Sequence, residues 1–126
     1  MADIGIGIIG GGYMGKAHSV AMASVGAVFN TKLRPKLEMI AASTLENAKK
    51  YGNEFGFKKA TGNWLELVND SSVEAVIIAS PQNTHYEIAK AALSLGNPVL
   101  CEKPLADTIE NARARVADAE SAHIVT

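Results

Sequence analysis

Three glycines, Gly10, Gly12 and Gly15, stand in the pattern G-x-G-x-x-G between the apolar run Ile4–Ile9 and a segment of helical character, MGKAHSVAMA. Glycines at this spacing do something side chains obstruct: they let bare backbone amides approach an oxyanion. In this frame Gly10 permits a tight turn, Gly12 lets the backbone come close to a pyrophosphate, and Gly15 lets the following helix lie against a sheet. The amides of Tyr13 and Met14 would then point at phosphate oxygens, aided by the helix dipole. A second frame, Gly5-Gly7-Gly10, overlaps the first. It leaves four residues for a strand and puts Ile8-Ile9 where a helix should open, so it fails the strand-then-helix requirement. A glycine-rich turn with no ligand is the plainer alternative, and the flanking strand and helix favour dinucleotide binding over it.

A dinucleotide site that reads the ribose of NAD usually carries Asp or Glu at the end of the second strand, about 20 residues beyond the glycines. Here the second apolar run ends in Ala42-Ser43-Thr44. Ser43 and Thr44 can hydrogen-bond either a ribose hydroxyl or a 2′-phosphate, and no arginine is adjacent to clamp a phosphate. Ser43 can also cap a helix, and the two roles are compatible. NAD and NADP both stay open on these residues.

Further candidates follow two later apolar runs. After Val73–Ala79 come Ser80, Pro81, Asn83 and His85; after Pro98–Cys101 come Glu102, Lys103 and Pro104. Taken alone, Asn83 is as much a helix cap as a ligand contact. His85, in the first turn of a helix, is assigned support of the site rather than chemistry, and His18 has the same packing or hydrogen-bonding role. Glu-Lys-Pro tripeptides are mostly solvated loop tips. Cys101 reads as a small buried hydrophobe rather than a nucleophile.

These residues need elements to hold them. Apolar runs alternate with helix-period segments, the signature of βαβ units and a parallel sheet. Strands are expected at Ile4–Ile9, Met39–Ala42, Lys58–Ala60, Val73–Ala79 and Pro98–Cys101, with a stub at Ile124–Val125. Val28–Leu37, rich in polar residues and containing Pro35, reads as an inserted surface loop. Four helix starts are expected at Ser43-x-x-Glu46, Asn63-x-x-Glu66, Thr84-x-x-Glu87 and Asp107-x-x-Glu110, each a capping residue three positions before a glutamate. Apolar stripes are expected at Met14, Ala17, Ala21 and Val25; at Ile88, Ala91, Ala92 and Leu95; and at Ile109, Ala112 and Val116. The order predicts an α/β fold, a doubly wound parallel sheet (Rossmann fold) with strand order 3-2-1-4-5-6, in one domain spanning residues 1–126 and truncated near its sixth strand.

The chain has 126 residues, 48% of them hydrophobic, and a formal net charge of -1, from 12 basic and 13 acidic residues. That charge gives no footprint for nucleic acid or an anionic membrane, and neither is expected as a partner. The single cysteine, Cys101, rules out an internal disulfide. The first apolar run is too short for a signal peptide or a membrane span, which makes a cytoplasmic location the expectation. No metal site is expected.

The stretches Ala79-Ser80-Pro81-Gln82-Asn83-x-His85 and Glu102-Lys103-Pro104, together with the glycine turn bearing Met14 and His18, resemble the N-terminal half of the Gfo/Idh/MocA family of oxidoreductases, the sugar and polyol dehydrogenases. Gly11–His18 is similar to the levoglucosan dehydrogenase branch of that family. The resemblance covers nearly all of this chain and about the first third of a usual family member. It implies an NAD(P)-dependent dehydrogenase, with hydride passing between the nicotinamide cofactor and a sugar, polyol or related secondary alcohol. It implies cofactor contacts from Gly10, Gly12, Tyr13, Met14, Gly15, Ser43, Thr44, Ala79, Ser80, Pro81, Asn83, His85, Glu102 and Lys103. Lys103 is the implied catalytic residue, reaching the nicotinamide ribose and the substrate hydroxyl. The substrate-binding domain of family members, through which they commonly form homo-oligomers, is absent here, so the chain alone is expected to be inactive. A non-catalytic nucleotide-binding module, a redox-responsive regulator and a binder of another adenine-containing ligand such as a coenzyme A derivative are the alternatives.

Overall fold

The computed structural model describes residues 2–126. Strands β1 (Ala2–Ile9), β2 (Leu33–Ala41), β3 (Lys59–Thr61), β4 (Ala75–Ile78) and β5 (Val99–Cys101) alternate with helices α1 (Tyr13–Val28), α2 (Leu45–Phe55), α3 (Trp64–Asn69), α4 (His85–Ser94) and α5 (Ile109–Ala122). A short 3-10 turn, Gln82–Thr84, leads into α4. The five strands pair in the order β3-β2-β1-β4-β5, all parallel. This matches the predicted order over the strands present. Ile124–Val125 does not form a sixth strand; one hydrogen bond, from the Val99 amide to the Val125 carbonyl (3.1 Å), ties that segment to β5.

Val28–Leu37 is not an inserted loop: α1 runs to Val28, and Leu33–Leu37 extends β2 alongside Ala2–Ile6. Pro35 misled the sequence reading because it lacks the amide a central strand needs. It is tolerated because β3 pairs only with Met39–Ala41, which leaves β2 an open edge on that side at Pro35. A register shift opposite Ile6 and Gly7 makes Glu38 an extra residue, a bulge in β2.

Side chains alternate across the sheet. One face, beneath α3, α4 and α5, holds the main core, including Leu67, Val76, Ile78, Ile88, Ala92 and Val99. The other, beneath α1 and α2, buries Ile6, Ile8 and Ile77, with Met22 and Phe57 packed against them. Beyond α1 that second face is uncovered, and an apolar groove of about 270 Å³ runs past Met22, Ile77, Leu100 and Val125. Leu100 is 49% exposed.

The first-frame glycines serve this packing. A Cβ at Gly7 would meet Leu67 and Val73 at 2.7 and 2.8 Å, and one at Gly5 would collide with the Ser72 carbonyl.

Two caps shift from the expected positions and a third keeps its place without the capping bond. Thr44, not Ser43, accepts from the Asn47 amide, and Thr108, not Asp107, accepts from the Asn111 amide. Thr84 starts α4 without a capping bond, because its hydroxyl turns back to the Pro81 carbonyl. Asn63 caps α3 as expected. The stripes differ as well. In α1 the buried residues are Gly15 and Ser19, while Ala17 and Ala21 are exposed: the helix approaches the sheet through its smallest side chains. In α4 Ile88 and Ala92 are buried and Leu95 is exposed; in α5 Arg115 and Ala119 are buried, with Ile109 70% and Val116 47% exposed. Among the described residues, no helix is long and apolar enough to cross a membrane.

Candidate functional site

The loops after β1, β2, β4 and β5 all emerge at the carboxyl edge of the parallel sheet, where the chain switches from one face to the other between β1 and β4. Ligands of open α/β sheets collect at such an edge. A cleft of about 370 Å³ opens there, and Gly10, Ala42, Ser43, Trp64, Ser80 and Pro81 are among its walls.

The glycine turn is built around three constraints. Gly10 has φ +106°, a conformation that disfavours side chains, and a Cβ on it would sit 2.6 Å from the Ala79 carbonyl. Its amide donates to the Ala41 carbonyl at 2.9 Å, tying the turn to the end of β2. A Cβ on Gly15 would run into the Gly10 carbonyl oxygen. Gly12 is different: nothing lies within 4 Å of the place a Cβ would occupy. Gly12 is the N-cap of α1, so the amides of the first turn have no acceptor within the helix. Tyr13 (88% exposed) and Met14 (39%) leave that turn open. A Cβ at Gly11 would strike the Tyr51 ring, which α2 lays against the turn. The turn therefore presents unpaired amides to open space, which is what a phosphate group requires.

The end of β2 carries no carboxylate. Ser43 is exposed and lines the cleft, whereas the Thr44 hydroxyl is taken by the α2 cap. After β4, the Ser80 hydroxyl lies 2.7 Å from Thr84 Oγ1, which itself donates to the Pro81 carbonyl at 2.6 Å, so Ser80 donates to Thr84. Asn83 is exposed on the 3-10 turn. His85 is 1% exposed and spans two loops, with Nδ1 2.7 Å from the Pro104 carbonyl and Nε2 2.8 Å from the Ser80 carbonyl.

Lys103 is exposed at the tip of the loop after β5, and the Lys103–Pro104 peptide is cis. Its neighbours are held. The Glu102 amide donates to the Ile78 carbonyl at 2.9 Å. The Glu102 carboxylate takes a hydrogen bond from His18 Nε2 at 2.7 Å, and that bond is the main cause holding its carboxyl below the usual carboxylate range. The Leu105 carbonyl accepts from Arg115 Nη1 at 2.5 Å. Burial pushes the Cys101 thiol up, with Arg115 partly opposing, in keeping with a packed side chain rather than a nucleophile.

The structure thus brings Gly10, Gly12, Gly15, Ser43, Ala79, Ser80, Pro81, His85, Glu102 and Lys103 to one edge. Two residues there were undervalued by sequence: His18, whose partner lies 84 positions away, and Arg115, a basic residue at a core-facing helix position. Among the described residues, no group of three or more His, Cys, Asp or Glu side chains gathers as a metal site.

Comparison with known proteins agrees with this geometry. The chain is 39% identical over 129 residues to levoglucosan dehydrogenase of Pseudarthrobacter phenanthrenivorans, covering 99% of this chain and 33% of that protein. It is 40% identical over 121 residues to inositol 2-dehydrogenase 2 of Saccharopolyspora erythraea, covering 91% and 32%. The solved structure of levoglucosan dehydrogenase in complex with NADH and levoglucosan superposes with a TM-score of 0.94 at 37% identity, over 98% of this chain and 33% of that one. The chain spans about a third of the length of these relatives. Residues 4–126 match the family described as GFO_IDH_MocA, oxidoreductase family, NAD-binding Rossmann fold. By sequence, strand order and superposition alike, the chain belongs to the Gfo/Idh/MocA oxidoreductase family.

Proposed function

We propose that this chain is the cofactor-binding part of an NAD-dependent dehydrogenase acting on a sugar, polyol or related secondary alcohol. The observation that carries the reading is the open space at Gly12 in front of the unpaired first-turn amides of α1, on the same sheet edge as the exposed Lys103. Gly10, Gly12 and Gly15 would shape the turn, and the Tyr13 and Met14 amides would hold the diphosphate. Ser43 would meet the adenosine ribose, with Thr44 placing the strand end through its cap. Ala79, Ser80, Pro81 and Asn83 would form the wall beside the cofactor, and His85 would support it from behind.

When bound, a nicotinamide ring supplies a carbon that accepts or releases hydride. Lys103 would hydrogen-bond the nicotinamide ribose and the substrate hydroxyl, orienting the alcohol and stabilising negative charge on its oxygen as hydride leaves. Glu102 beside it would fix the loop. Ser43 and Thr44 leave NAD and NADP both open, and NAD is favoured because levoglucosan dehydrogenase was solved with NADH. Because the chain spans a third of its relatives' length, turnover and substrate choice are proposed for the whole protein rather than for these 126 residues.

Titrating the chain with NADH and with NADPH, followed by nucleotide fluorescence and calorimetry, tests the reading. Saturable NADH binding, tighter than NADPH binding, is the expected result. No binding of either at millimolar concentration would remove the cofactor assignment.

A further inference from the structure

The residues around Lys103 are held by basic side chains from three helices. His85 of α4 meets the Pro104 carbonyl, Arg115 of α5 meets the Leu105 carbonyl, and His18 of α1 meets the Glu102 carboxylate. The first two reach the loop from the helices over the main core. His18 alone comes from α1, the helix whose first turn faces the open space at Gly12. Its imidazole and the Glu102 side chain are 17% and 24% exposed, so the contact is largely shielded from water. A shielded hydrogen bond to a charged acceptor is both stronger and more directional than an exposed one.

We propose that His18 is a positioning residue that, through Glu102, fixes Lys103 relative to the phosphate-binding end of α1, so that cofactor held at the glycine turn meets Lys103 at a set reach. The glycine turn and the lysine loop lie on different strands, and the sheet alone sets the spacing of their backbones. The reach of a long, exposed lysine depends on the direction in which its loop leaves β5. A rigid strut from α1 to the residue immediately before Lys103 sets that direction. The inference rests on the cofactor reading above, in which Lys103 touches the nicotinamide ribose.

The test measures two quantities on the 126-residue chain: the NADH dissociation constant, and the rate at which acetic anhydride acylates Lys103 with and without saturating NADH, read by peptide mass spectrometry. In the unaltered chain NADH should slow acylation of Lys103 by about tenfold, the scale of a hydrogen bond to a charged group. His18→Leu should keep the NADH dissociation constant within about threefold and reduce the protection to about twofold or less, because the diphosphate grip is intact while the lysine is no longer aimed. His18→Gln, whose amide can donate where Nε2 does, should restore most of the protection, which a packing role alone would not produce. Full protection in folded His18→Leu, or no restoration by His18→Gln, overturns the proposal. If His18→Leu does not fold, Glu102→Ala breaks the same contact from the loop side and is judged by the same loss or retention of protection. NADH binding without protection of Lys103 in the unaltered chain, or no NADH binding, overturns the assignment of Lys103 or of the cofactor itself. Those results are separable from a His18 effect because they appear before any substitution is made.

Discussion

The glycine turn after β1 and the lysine loop after β5 share one edge of the sheet but are held there by opposite means. At the turn, position is set by missing atoms. Backbone lies so close to Gly10 and Gly15 that no side chain fits, and the amide of Gly10 is fastened to the Ala41 carbonyl. In the loop, position is set by long side chains sent from His18, His85 and Arg115 to Glu102, Pro104 and Leu105. The first arrangement admits no side chain at Gly10 or Gly15 and presents backbone; the second leaves the exposed Lys103 side chain to project. A ligand gripped by backbone amides and touched by a single side chain needs both kinds of construction.

The largest expected effect separates glycines within the turn itself. Gly10→Ala should destabilise the fold by about 2–4 kcal/mol, because it combines a positive φ with collision against Ala79 and Ser80 backbone. Gly12→Val, directed into open space, should stay within about 1 kcal/mol of the parent. It should nevertheless weaken NADH binding about tenfold or more. Denaturant midpoints and NADH titration of the two variants check this, and equal losses of stability would erase the distinction between them.

The lysine loop should respond more gently. Arg115 is 2% exposed and, among the described residues, has no carboxylate partner, with its Nε buried and unpaired. Arg115→Met keeps the volume and removes that burden, so stability should change by about 2 kcal/mol at most, in either direction. The Leu105 carbonyl loses its donor, and the Glu102 amide, bonded to Ile78, should exchange its hydrogen about tenfold faster. Unchanged exchange would show that the loop does not depend on side-chain braces.

The smallest effect comes from a pair away from both loops. Asp70, held by Lys59 first and then Ser72, has its carboxyl lowered from 3.8 to about 2. A lowered folded value means the contact stabilises the chain above about pH 4 and that this contribution is lost as pH falls from 3.8 toward about 2. Asp70→Asn should flatten that part of the stability profile, measured by thermal melts against pH, and leave NADH affinity at neutral pH unchanged.

The fold was legible where signals are local. A strand at Ile4–Ile9, observed as Ala2–Ile9, the turn at Gly10–Gly15 leading into α1, and the Asn63 cap are each signalled by residues that are consecutive or nearly so. Cap positions slipped by one at Thr44 and Thr108 because a hydroxyl stood beside each expected residue and could do the same work. Pro35 concealed half of β2, since its tolerance depends on β3 being short, a fact of pairing rather than of sequence. The stripe of α1 was misread because periodicity counts apolar residues, whereas close approach to a sheet selects small ones, here Gly15 and Ser19. In the site, residue types and loop ends were legible. The contacts that organise them were not: His18 with Glu102 and Arg115 with Leu105 join segments that only the folded sheet brings together.

The groove past Met22 and Leu100 leaves an oily strip of β5 in water. Water gains freedom whenever a second oily surface presses against the strip, whatever molecule supplies it. A surface that covered Leu100 would gain from that release, and one that left it bare would not.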